Sequence, residues 1–419
     1  MKHMTVPLGI SSQPRTLPDV DGETLIVASS RGARLTDVSG RSFVDYGMAM
    51  GACLVGHADP AVVAACTQAL QNGPMPGFRN DLEEAAGEAL VALMGPRIDR
   101  ITFVTTGTEA VHLACRMARG KTGRRIVAKA AGGYDGWFDP LRLGNVGSPE
   151  ADPTNNARPL KDEITLFRVN DIPDIEKLFQ EHGPDLAAIL VEPMLGNTAC
   201  LVPDRAFFER LTQLAQANGT SIISDEVMVG LRLGRGLVSE QLGLIPDLVT
   251  MGKAIGSGIS VAAVLGTAEA FEVTESGQVM RFGTYHGNPL AMQAVLATMK
   301  LLDQPFYDRL NAYGAAMRAT IADAFAAEGI TARTSGFDAA FSLWFCDPVP
   351  KTLAEAMQRS RPEATRLVYE SLRRNGVVAL PSPWGRYFVS GRHGEEELAI
   401  TRQAFAAAAR AVANSDTLL

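Results

Sequence analysis

Short apolar runs alternate with segments of helical periodicity through the middle of the chain. The runs fall at residues 101–105, 126–130, 188–192, 221–225, 248–251 and 261–265. Between them, residues 108–119 and 205–218 repeat their apolar positions at the spacing of an amphipathic helix. Because the short runs are apolar on both faces, the pattern predicts an α/β fold with a mostly parallel central sheet covered by helices.

The N-terminal part of the chain follows a different pattern. Residues 1–20 are polar and rich in proline, which predicts an extended arm. Residues 33–38 and 42–45 alternate apolar and polar positions on either side of Ser39-Gly40, and this arrangement predicts a β-hairpin. We therefore assign residues 1–50 to an arm and hairpin that join a smaller domain.

The pattern changes again beyond Gly287. It predicts helices up to residue 302 and over residues 307–328, followed by a mixture of shorter elements. These are strands at 340–345, 377–380 and 387–389 and helices at 363–374 and 395–413. The change predicts a large domain over residues 51–303 and a smaller α+β domain over residues 304–419.

Composition and charge narrow the possible functions. A chain of 419 residues, 46% of them hydrophobic and 20% charged, is long enough to bury a large core. Its formal charge of −7 and the lack of a lysine and arginine cluster argue against nucleic acid as a partner. The N-terminus has no signal-peptide core and no stretch reaches the ~18 apolar residues of a spanning helix, so we expect a cytoplasmic protein with no membrane partner.

The five cysteines are odd in number and widely spaced, and no Cys-x-x-Cys pair occurs. This spacing predicts neither a disulfide framework nor a zinc site, and a reducing compartment fits it. His57 and His112 also lack metal-ligand spacing to any partner, so we expect no metal and a structural role for both histidines.

Two residues at the predicted sheet carry candidate chemistry. Asp225 ends the run at 221–225, and Lys253 follows the run at 248–251 in a glycine-rich turn. Ligands of parallel sheets bind beyond the carboxyl ends of the strands. Pyridoxal phosphate (PLP) requires an acid that keeps its ring nitrogen protonated and an amine that forms an imine with it. The acid and the lysine therefore predict a PLP site.

Other predicted strand ends carry groups that fit such a site. Residues 106–109 read Thr-Gly-Thr-Glu, which is the spacing of a helix capping box, and a helix start that contains glycine can bind phosphate. Tyr134 lies in a glycine-rich turn and can stack on an aromatic ring, and Glu192 and Asn197 follow another strand. Taken alone, each of these residues is more commonly structural, as a cap, a packing residue or a loop residue.

Together, these features resemble the class III (subgroup II) PLP-dependent aminotransferases of fold type I, and among them most of all the glutamate-1-semialdehyde aminomutases. The resemblance extends over nearly the whole chain, in the order of the family. The matching stretches are residues 45–46, 56–60, 106–110, 133–136, 191–193, 225–228, 252–253, 283–284 and 287–289. The resemblance implies a fold type I transferase whose large domain binds PLP and whose C-terminal domain is smaller.

The resemblance also implies which residues hold the cofactor. They are Lys253 for the imine, Asp225 for the ring nitrogen, Val227 and Tyr134 for the two ring faces, and Thr106, Gly107 and Thr108 for the phosphate. Glu192 and Asn197 are implied to lie near the oxygen side of the ring. Thr284 is implied to reach the phosphate from the neighbouring subunit, so that a homodimer shares each active site.

The substrate side departs from the family pattern. Arg15 matches the arginine with which the aminomutases bind the substrate carboxylate, and Arg386 lies near an arginine of related β-amino acid transaminases. A guanidinium suits bidentate binding of a carboxylate. Asp135 replaces the family's histidine after the stacking tyrosine, and His286 replaces a serine on the substrate side. Residues 138–168 are shorter than the glycine-rich lid of the aminomutases.

We therefore expect a transaminase that moves an amino group between an amino acid or amino-carboxylate and a keto or aldehyde acceptor, with pyridoxamine phosphate as the intermediate form. Lys253 removes and returns the substrate α-proton, and Asp225 keeps the ring nitrogen protonated. An intramolecular aminomutase is the main alternative, and turnover without an added acceptor would identify it. A racemase is less favoured, and a nicotinamide oxidoreductase lacks the Gly-x-Gly-x-x-Gly turn in its first βα unit.

Overall fold

The computed structural model describes residues 5–145 and 163–415. Within these ranges the strands form three sheets. The strands are β1 (Val27–Arg31), β2 (Arg34–Asp37), β3 (Ser42–Asp45), β4 (Arg100–Val104), β5 (Ile126–Ala130), β6 (Ile164–Phe167), β7 (Leu186–Val191), β8 (Ser221–Asp225), β9 (Leu248–Met251), β10 (Ala262–Gly266), β11 (Arg333–Phe337), β12 (Ala340–Trp344), β13 (Val377–Val378) and β14 (Arg386–Phe388).

Helices cover these sheets. They are α1 (Met48–Gly51), α2 (Pro60–Asn72), α3 (Asp81–Met94), α4 (Gly107–Thr122), α5 (Ile172–His182), α6 (Arg205–Asn218), α7 (Val238–Gln241), α8 (Ala268–Glu275), α9 (Pro289–Leu301), α10 (Gln304–Ala326), α11 (Leu353–Arg359), α12 (Pro362–Arg374) and α13 (Glu395–Ala413). Within residues 5–145 and 163–415, no helix combines the length and the apolar character that a membrane crossing requires.

The large sheet has seven strands in the order β4-β10-β9-β8-β7-β5-β6. Only β10 runs antiparallel to its neighbours β4 and β9, and the other pairings are parallel. The predicted α/β fold with a mostly parallel sheet is confirmed. Since β10 is antiparallel to both β4 and β9, these two strands point the same way, and their carboxyl ends lie at the same edge as those of β5, β7 and β8.

Helices bury the large sheet from both sides. On one side, Val111 and Ala114 of α4 pack with Val127 of β5 and Ile223 of β8 in one hydrophobic cluster. On the other side, α6 packs Phe207 and Phe208 against neighbouring side chains of β7 and β8. Burial on both faces explains why β7 and β9 are nearly continuous apolar runs and why every residue of β8 is buried. Each buried apolar side chain stabilises the fold by about 1.5–3 kcal/mol.

Residues 138–168, which correspond to the lid of the aminomutases, include a strand that was not predicted from the sequence. This strand is β6, which pairs in parallel with β5 at the edge of the large sheet. It was missed because it has only four residues, and its two buried end residues enclose two less buried ones, so it lacks the alternation that indicates a strand. Residues 146–162 of the expected lid lie outside the described residues.

Two smaller sheets complete the fold. The four-stranded sheet has the order β1-β2-β3-β13, and the three-stranded sheet has the order β11-β12-β14. The predicted hairpin is confirmed, because β2 and β3 pair antiparallel. The strand β13 pairs in parallel with β3, so the C-terminal part of the chain joins the N-terminal hairpin. The division of the chain into residues 1–50, 51–303 and 304–419 remains a prediction.

Candidate active site

A cavity of about 340 Å³ opens at the carboxyl ends of the parallel strands. It collects residues from the ends of β4, β7, β8 and β9 and from the segment after β5. The predicted cofactor residues in its lining are Thr106, Gly107, Thr108, Tyr134, Glu192, Asp225, Val227 and Lys253. The structure therefore brings eight of the predicted residues, which are far apart in sequence, into one concave site.

Asp225 is held at the end of β8 by fixed hydrogen bonds. Its Oδ1 accepts hydrogen bonds from the Val227 N–H at 2.9 Å and from the Thr250 hydroxyl at 3.0 Å. Burial, together with the nearby charge of Asp135, raises the pKa of Asp225 to about 7. A buried carboxyl of this kind gains stability when a cation comes close, and a protonated ring nitrogen is such a cation.

Lys253 begins a short turn directly after β9. Its backbone φ is 45°, in the left-handed region that residues with a Cβ rarely adopt. Strained backbone of this kind persists where the surrounding structure fixes it, and it is frequent at functional sites. Burial lowers the pKa of the Lys253 amine to about 8, while the charge of Asp225 opposes this shift. A lowered pKa leaves more of the amine unprotonated near neutral pH, as a nucleophile or base requires.

The start of α4 forms a cradle for an anion. Thr106 and Glu109 make the predicted capping box: the Glu109 N–H donates to Thr106 Oγ1 at 3.2 Å, and the Thr106 N–H donates to Glu109 Oε2 at 2.8 Å. Gly107 and Thr108 lie between the two residues of this box, and their N–H groups stand in the first turn of the helix, at the positive end of its dipole. A Cβ on Gly107 would lie 2.9 Å from the Val227 side chain, so only glycine fits there.

Tyr134 and Glu192 form another part of the cavity wall. The Tyr134 N–H donates to Glu192 Oε1 at 2.9 Å, and the Gly196 N–H donates to Oε2 of the same carboxyl at 3.1 Å. Burial raises the pKa of Glu192 to about 8, and the charges of Asp135 and Asp225 add to this effect. The tyrosine ring is 43% exposed, as expected of a ring that faces an open cavity.

Asn197 and Arg386 meet beside this wall. Arg386 Nη1 donates to Asn197 Oδ1 at 2.6 Å and to the Gly196 carbonyl at 3.0 Å. Its Nε is buried and has no hydrogen-bond partner within the described part of the chain. Neither residue lines the cavity itself, but Arg386 is close enough for its charge to lower the pKa of Lys253.

Three further predicted residues, Arg15, Thr284 and His286, also lie outside the cavity of their own chain. Arg15 is exposed on a short turn of the N-terminal arm, and Thr284 is exposed in the loop before α9. The His286 ring lies 3.5 Å from Glu109 Oε1, at the outer side of the α4 capping box. Their predicted roles in phosphate or substrate binding remain predictions.

Two buried residues behind the cavity were not singled out from the sequence as a pair. Lys129 on β5 forms an ion pair with Asp135, with Nζ 3.1 Å from Oδ2, and both side chains are almost fully buried. A charged lysine inside the otherwise apolar run at 126–130 is the sequence feature that could have indicated this pair. Among the described residues, no group of three or more His, Cys, Asp or Glu side chains could hold a metal ion.

Comparison with known proteins identifies the family. The family model described as "Aminotransferase class-III" matches residues 18–336. The chain belongs to the class III aminotransferase family. The chain is also 36% identical over 400 residues to a glutamate-1-semialdehyde 2,1-aminomutase of Nitratidesulfovibrio vulgaris, covering 94% of this chain and 93% of the relative. The family that the sequence resembles is thus the family to which it belongs.

Solved structures agree with this assignment. An omega-transaminase from Sphaerobacter thermophilus superimposes with a TM-score of 0.88 at 29% identity, covering 97% of this chain and 95% of the other. A transaminase with PLP bound gives a TM-score of 0.86 at 27% identity, with coverage of 97% and 95%. The protein is a PLP-dependent enzyme of fold type I that catalyses amino transfer.

The residues present fit PLP. Asp225 offers a buried carboxyl for the ring nitrogen, Lys253 offers an amine, and the first turn of α4 offers free N–H groups for the phosphate. The close approach of Val227 to Gly107 places an apolar side chain beside the phosphate cradle, where one face of the ring would lie. The chemistry of the cavity lining therefore matches the cofactor.

Proposed function

We propose that this enzyme is a transaminase that takes an amino group from an amino-carboxylate and gives it to a separate keto or aldehyde acceptor. The observation that carries the proposal is the placement of Lys253 and Asp225 in one cavity with the α4 cradle. The likeness to an omega-transaminase and the departures on the substrate side support a two-substrate reaction. An aminomutase is the second candidate, because a curated relative with 36% identity has that name.

Several residues of the chain would have separate roles in this reaction. Lys253 Nζ would attach the cofactor, then remove a proton from the amino-bearing carbon of the donor and return it. Asp225 would hold the proton on the ring nitrogen, and Tyr134 and Val227 would keep the ring between them. PLP, once bound, would accept the electrons left on the donor carbon. Glu192 would keep Tyr134 in place through its hydrogen bond to the backbone.

Turnover without an acceptor separates the two candidates. With PLP-loaded enzyme and an amino-carboxylate donor, we expect one equivalent of keto product per active site and no further reaction until a keto acid is added. The reason is that a transaminase retains the amino group on its cofactor. Product formed with and without the acceptor is measured by chromatography.

Glutamate-1-semialdehyde is the matching control substrate in this experiment. Continuous conversion of this compound without an acceptor would overturn the transaminase and establish the aminomutase. Continuous loss of chirality in a donor, without keto product, would instead identify a racemase.

We also propose that Arg386 binds the carboxylate of the donor, with Arg15 as a second candidate. Replacing Arg386 with lysine keeps the charge but removes the planar fork. We expect KM for a carboxylate donor to rise roughly ten-fold, the effect of losing one hydrogen bond to a charged group. The reaction with an amine that lacks a carboxylate should stay within two-fold, roughly the noise of such comparisons. Steady-state kinetics with both donors measure this difference.

The Arg15→Ala variant serves as the comparison. It tests whether the exposed arm contributes to the same carboxylate. A rise in KM only in Arg15→Ala would assign the carboxylate to the arm, and unchanged KM values in both variants would contradict the proposal.

A homodimer with shared active sites is part of the proposed function. Large apolar side chains, including Phe78, Phe282 and Tyr285, are exposed on the single chain, and two of them flank Thr284. Such a group of exposed aromatic residues is typical of an interface. A second copy covering it would bring Thr284 to the phosphate cradle of the other subunit. We expect a solution mass of about twice the 44.7 kDa of one chain, measured by analytical ultracentrifugation.

We propose a cytoplasmic location for the enzyme. All five cysteines are free, and four of them are buried, which fits a reducing compartment. Small amino and keto compounds, the partners of the proposed reaction, are available there.

A further inference from the structure

The buried ion pair of Lys129 and Asp135 connects β5 to the residues that follow it, and some of these residues line the cavity. The Lys129 ammonium lies 3.1 Å from Asp135 Oδ2, donates to the Leu141 carbonyl at 2.7 Å, and also donates to Asn145 Oδ1. All three partners of Lys129 belong to residues 132–145, which follow β5 and which we call the tyrosine loop. One buried cation on a rigid strand therefore holds the tyrosine loop at three points.

The other side of the tyrosine loop builds the cavity. The Tyr134 N–H bonds Glu192, and the Gly132 carbonyl accepts a hydrogen bond from the Thr198 hydroxyl at 2.8 Å. A Cβ on Gly136 would lie 3.0 Å from the Cα and the hydroxyl of Thr108, so this glycine touches the phosphate cradle directly. A displacement of the tyrosine loop would therefore move the stacking ring and open the cradle together.

The ion pair of Lys129 and Asp135 also places the negative charge of Asp135 close to the carboxyl of Glu192. A Cβ on Gly133 would lie 3.1 Å from Asp135 Oδ2 and 3.4 Å from Glu192 Oε1, so the two carboxyls flank one glycine. Asp135 Oδ1 is buried without a hydrogen-bond partner among the described residues. Lys129 is the cation that allows such a carboxylate to stay buried. Because fully buried pairs seldom add net stability, a positioning role accounts for this one better than a stabilising role.

We propose that Lys129 and Asp135 are positioning residues for the cofactor: they hold the tyrosine loop in the conformation that binds PLP and set the charge behind Asp225. This inference depends on PLP binding in the cavity and not on the choice between transaminase and aminomutase. Neither residue needs to touch the substrate, since both act through Tyr134, Gly136 and Asp225.

The first test measures PLP affinity without substrate. Quenching of tryptophan emission reports PLP binding, and Trp137, in the tyrosine loop, is 68% exposed. We expect Asp135→Asn to weaken PLP binding roughly ten-fold, as expected for the loss of one charge-assisted contact. We expect the same direction for the double variant Lys129→Met with Asp135→Leu, which removes both charges and so avoids a buried unpaired ion.

The second test measures the pH dependence of PLP binding. The titratable groups that act on Asp225 are Cys115 on α4, Tyr134 and Asp135 in the tyrosine loop, Glu192 after β7 and Lys253 after β9. PLP with a protonated ring nitrogen binds best when Asp225 is ionised, so binding weakens as the pH falls through the pKa of Asp225. Because Asp135 raises that pKa, Asp135→Asn should shift the weakening to lower pH. A purely structural role would not shift it.

The matched control is Asp59→Asn. Asp59 is another buried aspartate, paired with Arg392, and it does not line the cavity. We expect it to lower thermal stability without changing PLP affinity or the pH profile. If Asp135→Asn behaves like Asp59→Asn, or if the double variant binds PLP as tightly as the parent enzyme, the proposal is overturned. A wrong choice of reaction type leaves these binding results unaffected, so the two failures are distinguishable.

Discussion

Amino transfer is expected to fall by roughly 10⁴-fold in the Lys253→Ala variant, which loses its base for proton transfer. The variant also loses the amine that attaches the cofactor, so PLP should wash out on desalting. The backbone at residue 253 keeps its φ of 45° with a smaller side chain, and the substitution leaves no charge at this buried position, so the fold should persist. Stopped-flow rates of the donor half-reaction and visible absorbance after desalting measure both effects.

Two controls make this result specific to the lysine amine. Lys253→Arg keeps a positive charge but stays protonated at working pH, so it should be as inactive as Lys253→Ala. Lys351→Ala removes an exposed lysine that is paired with Asp204, and it should retain full activity. Retention of more than a few per cent of activity in Lys253→Ala, with PLP still bound after desalting, would show that another amine performs the chemistry.

The cofactor half of the site is predictable from the sequence because its signals are local. Asp225 and Lys253 each follow an apolar run, and the capping box of α4 is written in four consecutive residues, Thr106 to Glu109. Parallel strands place their carboxyl ends at one edge, so residues that follow such runs meet in space. Local patterns combined with one topological rule are sufficient for this half of the site.

Contacts between distant segments were not predictable in the same way. Arg386 reaches Asn197 across 189 positions of sequence, and the parallel pairing of β13 with β3 joins opposite ends of the chain. The tyrosine loop is local, but the buried partner of Asp135 comes from the apolar strand before it, where a lysine is unexpected. Arg15 and Thr284 are exposed in one chain. The proposed role of Thr284 requires a second copy, about which a single sequence pattern says little.

The buried carboxyls of the cavity are costly to the protein without cofactor. Asp225, Glu192 and Asp135 all have raised pKa values, mainly because burial disfavours the charged form. Raised pKa values at several neighbouring acids are typical of a site arranged for function and not for stability. Part of this cost should disappear when the protonated ring nitrogen of the cofactor arrives beside Asp225.

The Asp225→Asn variant should therefore lose activity while its cofactor-free form gains thermal stability. Activity is expected to fall by roughly 10²–10³-fold, since a neutral amide cannot keep the ring nitrogen protonated as electrons move into the ring. The amide oxygen can still accept the hydrogen bonds from Val227 and Thr250, so the local geometry should be kept. Steady-state kinetics and the thermal unfolding of the cofactor-free protein measure the two effects.

The sign of the stability change follows from the two pKa values of Asp225. The carboxyl keeps its proton up to about pH 7 in the folded protein but loses it near its ordinary value of 3.8 when unfolded. The folded parent protein thus binds more protons between these values, and its stability falls as the pH rises from about 4 to about 7. Asp225→Asn removes this loss, so its Tm should exceed that of the parent by about 2 °C or more at pH 8, and the difference should vanish near pH 4. A lower Tm for Asp225→Asn at pH 8 would mean that the carboxylate is stabilised in the cofactor-free protein by its neighbours, with Lys253 as the nearest candidate.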